Sequence, residues 1–248
     1  MAIYYRTQGF VFKKRDVLEA DRVFSVFTYD FGRLEIFGKA IRKITSKLRG
    51  GIEIFSLSEV EFIQGKNRKT LTDTIAIEKF SNIIQDPVRL EISHKISEVL
   101  DNFIKGQEKD ESVFALLKET LNKLNNPKLQ VSSVQQIYCY FLWNFLSAIG
   151  YHPEIQKCAS CGLKLDPHIL YFSNKDGGTI CKNCFDSDDS DIETKKINSD
   201  IVKILRLILK KEWQILSKLK VEVSSQNLFK EISDNYYRYI LSSHSGGV

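Results

Sequence analysis

The sequence lacks the features of a membrane or secreted protein. It contains no run of roughly eighteen apolar residues, and the nearest approach, residues 137–149, is shorter and includes Asn144 and Ser147. The stretch 1–12 lacks the basic start, apolar run and small-residue cleavage site of a secretory signal peptide. We therefore expect no membrane span, and a reducing, cytoplasmic compartment.

The motifs of common active sites are also missing. No G-x-x-x-x-G-K-[ST] phosphate loop, G-x-S-x-G or H-E-x-x-H occurs, and the four histidines lie without acid partners at motif spacing. The K-x-D-G motif of nucleic-acid ligases is not matched, because Lys175 directly precedes Asp176. We expect a protein that is not an enzyme and has no small-molecule substrate.

Cysteine is scarce but concentrated, because four of the five cysteines form two C-x-x-C pairs separated by nineteen residues. Each pair places two thiolates on a tight knuckle, and a hairpin in the gap can bring the knuckles together. Two disulfides or two packed thiol pairs are the alternatives, but disulfides need an oxidising compartment. His168 in the gap is expected at the surface, and Cys139 in the core. We predict one structural Zn²⁺ per chain, since four thiolates leave no open position, with ligands Cys158, Cys161, Cys181 and Cys184.

The formal net charge of +5 is unevenly distributed along the chain. Residues 1–79 contain fifteen Lys and Arg against ten Asp and Glu, whereas the remaining residues contain twenty-one of each. All of the excess positive charge therefore lies in the first third. This asymmetry favours contact with an anion, nucleic acid above all, although a solvated basic face is the simpler alternative.

The same third has the pattern of short strands. Five runs rich in Val, Ile, Phe, Tyr and Thr are separated by turn-like breaks. Five strands in so few residues predict a small closed barrel, with the OB-fold as the first choice and an SH3-like barrel or a partly open sheet as alternatives. The predicted strands are residues 5–12, 22–29, 34–41, 54–62 and 71–77.

A basic segment within the predicted barrel is the candidate nucleic-acid interface. Residues 33–51 carry six cations and a single acid, Glu35, and phosphates need many cations along one path. Tyr29 and Phe31 lie beside a turn and either stack on bases or pack in the barrel, while Phe37 is expected in the core. The predicted DNA-binding residues are Lys13, Arg22, Arg33, Lys39, Arg42, Lys43, Lys47, Arg49 and Arg68.

From Pro87 onward the apolar spacing becomes helical. The third predicted helix is apolar nearly all round and should form the centre of a helical core. The cysteine pairs follow this helix directly, so zinc would stabilise the segment that connects the third and fourth helices. The predicted helices are residues 88–104, 111–124, 132–149, 199–219 and 225–241. The prediction is an α+β protein with an OB-fold domain at 1–80 and an all-helical domain at 81–248, which carries an inserted zinc-finger module at 155–186.

This combination resembles the RecO family of bacterial recombination mediators. The resemblance spans nearly the whole chain, and its parts occur in the family's order. The N-terminal motifs are matched by Gly9-Phe10-Val11, Glu19-Ala20-Asp21-Arg22, Phe27-Thr28, Gly32-Arg33-Leu34, Gly38-Lys39-Ala40-Ile41-Arg42 and Leu48-Arg49-Gly50-Gly51. The central motifs are matched by Leu146-Ser147-Ala148-Ile149-Gly150-Tyr151-His152-Pro153, Cys158-Ala159-Ser160-Cys161-Gly162 and Gly177-Gly178 before Cys181.

The resemblance implies a non-enzymatic protein of DNA repair and recombination after DNA damage. RecO-like proteins bind single- and double-stranded DNA and anneal complementary strands. With RecR they displace single-strand-binding protein so that RecA can load, in the RecF pathway. The resemblance also implies contact with the C-terminal tail of single-strand-binding protein, an indirect link to RecA, and a cytoplasmic, nucleoid-associated location in a bacterium. A protein-binding adaptor whose basic barrel engages an acidic protein is the alternative.

Overall fold

The computed structural model describes residues 3–187 and 194–245, and the chain forms two compact units, Met1–Val134 and Gln135–Val248. The two predicted domains also include residues that lie outside this description, namely 1–2, 188–193 and 246–248. The first unit contains the barrel and the three helices that follow it, and the second contains most of a long helix and all later elements. The predicted division after residue 80 stays a prediction.

The first unit contains a closed barrel of five strands in the order β1-β2-β3-β5-β4, which confirms the predicted fold class. Neighbouring strands pair antiparallel, except that β3 and β5 pair in parallel and close the barrel. The strands are β1 (Tyr4–Val17), β2 (Asp21–Thr28), β3 (Gly32–Gly38), β4 (Leu57–Gln64) and β5 (Lys69–Glu78).

Three strand limits differ from the prediction by three residues or more, and the others by one or two. Strand β1 continues to Val17 because one half pairs with β4 and the other with β2, with a bulge between Val11 and Lys13. Strand β3 ends at Gly38 because the chain turns at Ala40, whose φ is 50°. Strand β4 begins three residues later than predicted, so Ile54 lies in the preceding loop.

The barrel interior is filled by alternate side chains of the strands, supplemented by two residues of the long β3–β4 loop. This loop includes one turn of 3₁₀ helix, Lys47–Gly50. Its residues Ile41 and Ile52 are each 2% exposed and belong to the barrel core. The core consists of Val11, Phe24, Val26, Leu34, Ile36, Ile41, Ile52, Val60, Phe62 and Leu71.

Three helices complete the first unit: α1 (Ser81–Gln85), α2 (Pro87–Phe103) and α3 (Glu111–Asn125). Asp86 and Asp110 cap α2 and α3, because each carboxylate accepts from two backbone amides of the following turn. The buried side chain of Arg89 donates to the carbonyl oxygens of Leu124 and Asn126, each at 2.9 Å, and so satisfies the C-terminal end of α3.

The second unit is built around α4 (Val131–Ala148), whose described residues 137–146 are all buried. The Trp143 ring stacks on Tyr236 at 4.9 Å, and its Nε1 donates to Ser233 at 2.9 Å. These contacts confirm that the third predicted helix is a core helix, and Cys139 is buried as expected. The other elements are β6 (Leu170–Ser173), β7 (Gly178–Ile180), α5 (Lys182–Ser187), β8 (Lys195–Ile197), α6 (Ser199–Leu209), α7 (Trp213–Leu216) and α8 (Val223–Ser245).

The prediction of one continuous helix over residues 199–219 is wrong. The structure has two helices in this range, α6 and the short α7, and they are separated by Lys211, whose φ is 58°. Residues in that left-handed conformation cannot continue a right-handed helix. The helices of the described chain are all too short or too polar to cross a membrane.

Candidate nucleic-acid interface and metal centre

Most of the predicted DNA-binding residues lie on the β3–β4 loop, which is fastened at both ends. At its start, the Ala40 amide donates to Asp21 Oδ1 at 2.7 Å, and the Arg42 amide donates to the Ala20 carbonyl at 3.0 Å. At its end, Thr74 Oγ1 donates to the Gly51 carbonyl at 3.0 Å. The loop therefore presents its cations from a fixed backbone.

Five of the nine predicted DNA-binding residues are exposed cations without an acidic partner. Within the described residues, no carboxylate lies within ion-pair distance of any of the five. Four lie on the β3–β4 loop, and the fifth lies in the turn between β4 and β5. An unpaired, solvated cation can approach a phosphate without first losing a carboxylate. We call this set the unpaired cations; it consists of Lys39, Lys43, Lys47, Arg49 and Arg68.

Arg22 and Arg42 share the carboxylate of Asp16. Arg22 Nε lies 2.6 Å from Asp16 Oδ1, and Arg42 Nε lies 3.4 Å from Oδ2. The hydrogen bond from Arg22, together with the charges of Arg22 and Arg42, lowers the pKa of Asp16. At neutral pH the Asp16 carboxylate is therefore ionised and offsets part of the positive charge of the two arginines.

The two paired arginines line one groove with Arg49. The groove has a volume of about 490 Å³, and its other charged residues are Lys14 and Glu53. Lys14 is not in the predicted set, although its place in a polar run beside Lys13 was visible in the sequence. The structure thus brings Arg22, Arg42 and Arg49 together.

Lys13 and Arg33 have a different environment. Arg33 is 16% exposed, and its guanidinium donates to Asp101 Oδ1 at 2.7 Å and to the Ile104 carbonyl at 2.8 Å. Lys13 Nζ lies 2.6 Å from the same carboxylate. Burial raises the pKa of Asp101, but the hydrogen bonds from Lys13 and Arg33 outweigh it and lower the pKa. These contacts tie the barrel to α2 and favour a structural role for Arg33, so its part in DNA binding stays a prediction.

The three aromatic candidates occupy different environments. Phe31 packs against the barrel core. The Tyr29 side chain is 40% exposed, with its ring 5.4 Å from that of Phe114 and Lys109 Nζ 5.2 Å from its centre. Phe37 is buried as expected, at 8% exposure, but it is not in the barrel core cluster.

The four predicted zinc ligands lie together in the second unit. All four sulfur atoms are within 4.8 Å of one another, with Cys158 and Cys184 3.8 Å apart and Cys161 and Cys181 3.9 Å apart. Four sulfurs about 2.3 Å from a zinc ion form a tetrahedron with edges of about 3.8 Å. The donor set therefore fits a tetrahedral metal ion. His168 is exposed and is not part of the group.

Local structure explains how the cysteines meet. The first pair lies on a knuckle in which the Gly162 amide donates to the Cys158 carbonyl at 2.9 Å, with Gly162 at a φ of 74°. The second pair follows β7, with Cys181 before α5 and Cys184 within it. Phe185 of α5 stacks on Tyr171 of β6 at 3.9 Å and completes a small core around the sulfurs.

Two thiols of this cluster have pKa values that are shifted in opposite directions. Burial raises the pKa of Cys158, but hydrogen bonds from the backbone amides of Cys161 and Cys181 outweigh it and lower the pKa to about 6. A hydrogen bond with Ser160 lowers the pKa of Cys184, but the neighbouring thiols raise it to about 12. A metal ion that binds here must therefore displace protons, and its affinity must fall in acid.

Two family models and several named proteins match this chain. The family description "Recombination protein O N terminal" matches residues 1–80, and "Recombination protein O C terminal" matches residues 84–245. The DNA repair protein RecO of Dehalococcoides mccartyi is 32% identical over 217 residues, which are 88% of this chain and 83% of that protein. The proteins of the same name from Alkaliphilus metalliredigens and Caldanaerobacter subterraneus are 28% and 24% identical, over 87% and 97% of this chain and 85% and 93% of theirs.

The matched segments leave few residues of the chain uncovered. The first ends at residue 80, just after the barrel, the second begins at residue 84, and the second includes all four clustered cysteines. The chain therefore belongs to the recombination protein O (RecO) family of DNA repair proteins.

Proposed function

We propose that this protein binds single- and double-stranded DNA through its barrel and anneals complementary strands during repair. The observation that carries the proposal is the set of unpaired cations on the β3–β4 loop and the β4–β5 turn. In OB-folds, oligonucleotides bind the surface of strands 2 and 3 and the loops between strands 1 and 2 and between strands 4 and 5, and the turn that carries Arg68 is the last of these.

Annealing by this surface needs no catalytic residue and no ATP. Two strands repel each other through their phosphates, and bound cations reduce that repulsion. Base pairing then supplies the free energy of annealing. Contacts to phosphates carry little sequence information, so the protein should accept strands of any sequence.

The proposed partners follow from family membership. We propose that the protein acts with RecR, engages the C-terminal tail of single-strand-binding protein, and so helps RecA to load in the RecF pathway. A cytoplasmic, nucleoid-associated location belongs to the same proposal. Its support is the likeness to proteins named DNA repair protein RecO.

The proposed metal is one structural Zn²⁺ held by the four clustered cysteines. An all-sulfur tetrahedral site is typical of structural zinc, and it leaves no position for a reacting molecule. The ion would supply stability by joining the knuckle at Cys158 to the turn and helix at Cys181 and Cys184.

A charge-reversal experiment tests the DNA-binding proposal. In the full-length protein, Lys39, Lys43 and Lys47 are replaced together by Glu, and affinity for an oligonucleotide of about sixteen nucleotides is measured. The matched control reverses Lys210, Lys218 and Lys220, which are also exposed and give the same change of net charge. Binding should be lost in the first variant and largely kept in the control.

Strand length separates DNA binding from the adaptor alternative. Affinity for DNA should rise with length until an OB-sized site of about 4–16 nucleotides is covered. An adaptor for an acidic protein would show no such plateau. Equal loss of binding in both charge-reversal variants would also count against a defined surface.

A further inference from the structure

The side chains of Phe37 and Arg68 form an unusual pair on the outer surface of the barrel. Along β3, Leu34 and Ile36 point into the barrel core, whereas Phe37 is on the opposite face and outside the core cluster. It is nevertheless only 8% exposed. The Arg68 guanidinium carbon lies 3.8 Å from the centre of its ring.

This distance is that of direct contact between the guanidinium and the ring. Carbon atoms in van der Waals contact are about 3.5–4.0 Å apart, so the guanidinium rests directly on the ring. The next closest cation over a ring in the described chain, Lys109 over Tyr29, is 5.2 Å away. Arg68 is therefore positioned by the ring as well as by its own backbone.

The backbone around the pair is fixed by barrel closure. Strand β3 meets β5 through Ile36 opposite Lys69 and Phe37 opposite Thr70, so Arg68 directly precedes the first paired residue of β5, and its side chain reaches back over Phe37. The Gly65 amide donates to the Arg68 carbonyl at 2.9 Å and holds the β4–β5 turn. In OB-folds this turn and the neighbouring strand surface commonly contact single strands.

The outer side of the Arg68 guanidinium remains available to a ligand. Arg68 is exposed, and within the described residues it has no ion pair and no side-chain hydrogen bond. A guanidinium is planar and weakly hydrated, and it can stack on an aromatic ring with each of its faces. A second ring on its free face would complete a three-layer stack.

We propose that Arg68, stacked on Phe37, is a platform for a nucleobase of single-stranded DNA. This inference rests on the proposed DNA binding and goes beyond it, because it assigns Arg68 to base faces instead of phosphates. A paired base in a duplex has no free face, so the platform favours single strands. Arg68 is then a determinant of the preference for single over double strands.

The test replaces Arg68 by Lys, which keeps the charge and removes the planar group. Arg49→Lys is the matched control, because Arg49 is exposed and unpaired and, among the described residues, lies over no ring. Three probes are compared: an oligothymidylate of about twelve nucleotides, an abasic strand with the same number of phosphates, and a duplex.

The expected result is selective. Arg68→Lys should weaken oligothymidylate binding about fivefold or more, the ratio that corresponds to the lower end of base-stacking energies, and leave binding of the abasic strand and duplex unchanged. Arg49→Lys should affect all three probes by similar factors. Phe37→Leu, checked for an unchanged barrel by circular dichroism, should reproduce the loss on oligothymidylate.

Three results would overturn the inference. Unchanged oligothymidylate binding in Arg68→Lys would show that no base stacks there. Equal losses on all three probes would make Arg68 a phosphate contact. Failure of the unaltered protein to bind any probe would instead refute the proposed DNA binding, and the platform would fall with it.

Discussion

Gly51 is the point at which the β3–β4 loop meets the barrel, and its replacement gives a sharp prediction. A Cβ atom at this position would lie 2.3 Å from the Thr74 carbonyl oxygen, against backbone that cannot rotate away. At the adjacent Gly50, a Cβ atom would have nothing within 4 Å. The two glycines therefore differ in what an alanine would meet, although they are neighbours in the sequence.

Two effects lower the free energy of unfolding in Gly51→Ala. Overpacking of a tight site costs about 1–3 kcal/mol, and losing the hydrogen bond from Thr74 Oγ1 costs about 1 kcal/mol more. A total of about 2–4 kcal/mol lowers the melting temperature by roughly 5–15 °C in a chain of this size. Gly50→Ala should lie within about 0.5 kcal/mol of the unaltered protein.

Calorimetry and DNA affinity measured on both variants test this reasoning. Gly51→Ala should also weaken DNA binding, because the loop backbone must move away from Thr74 and its cations move with it. Equal stabilities of the two variants would refute the assignment of Gly51 as an anchor. Full DNA affinity in a destabilised Gly51→Ala protein would show that loop position does not matter for binding.

Further perturbations test other contacts. Asp16→Asn removes the counter-charge from Arg22 and Arg42, and it should tighten DNA binding about fivefold at low salt; weaker binding would show that Asp16 only orients the arginines. Arg89→Ala leaves the buried carbonyl group of Leu124 and the part-buried one of Asn126 without this donor and should cost about 2–4 kcal/mol by denaturant unfolding, whereas Arg6→Ala on the exposed surface should cost less than about 1 kcal/mol. Comparable costs would contradict the capping role of Arg89. Purified protein should contain one zinc ion per chain by elemental analysis, and the ion should be released as the pH falls, because Cys158 and its neighbours then regain protons. Metal content that does not change with pH or with Cys161→Ser would contradict the four-thiol site.

The sequence was sufficient to predict features that depend on local pattern. Alternating apolar residues marked the strands, and the spacing of the cysteine pairs predicted a cluster whose sulfurs are within 4.8 Å of one another. The third helix was predicted as a core element because apolar residues cover almost all of its faces. In each case neighbouring residues carry the information.

Features that depend on distant partners were not predictable in this way. Arg33 resembles its basic neighbours in the sequence, but its partner Asp101 lies sixty-eight residues away. The extension of β1 through Lys13 to Val17 is polar on the outside and shows no apolar alternation. The interruption at Lys211 occurs within a continuous helical pattern, and only the backbone conformation reveals it.

The stacking of Phe37 beneath Arg68 belongs to the same group. Burial of Phe37 was predictable from its apolar side chain, but the identity of its cover was not. The two residues meet because β3 and β5 pair in parallel at the barrel closure, and the strand positions alone do not determine that pairing. Charge counts alone would have grouped Arg68 with the phosphate-binding residues.

Annealing of two complementary oligonucleotides without ATP, together with single-strand affinity across a salt series, would decide whether the unpaired cations form the DNA surface. If the four unpaired cations of the β3–β4 loop neutralise phosphates, the slope of log affinity against log salt is about −2.8, and reversing Lys39, Lys43 and Lys47 reduces its magnitude to about 0.7 or less. Annealing should be fast at low salt and should disappear in that variant. A salt-independent affinity, or annealing that survives the reversal, would show that DNA is bound elsewhere.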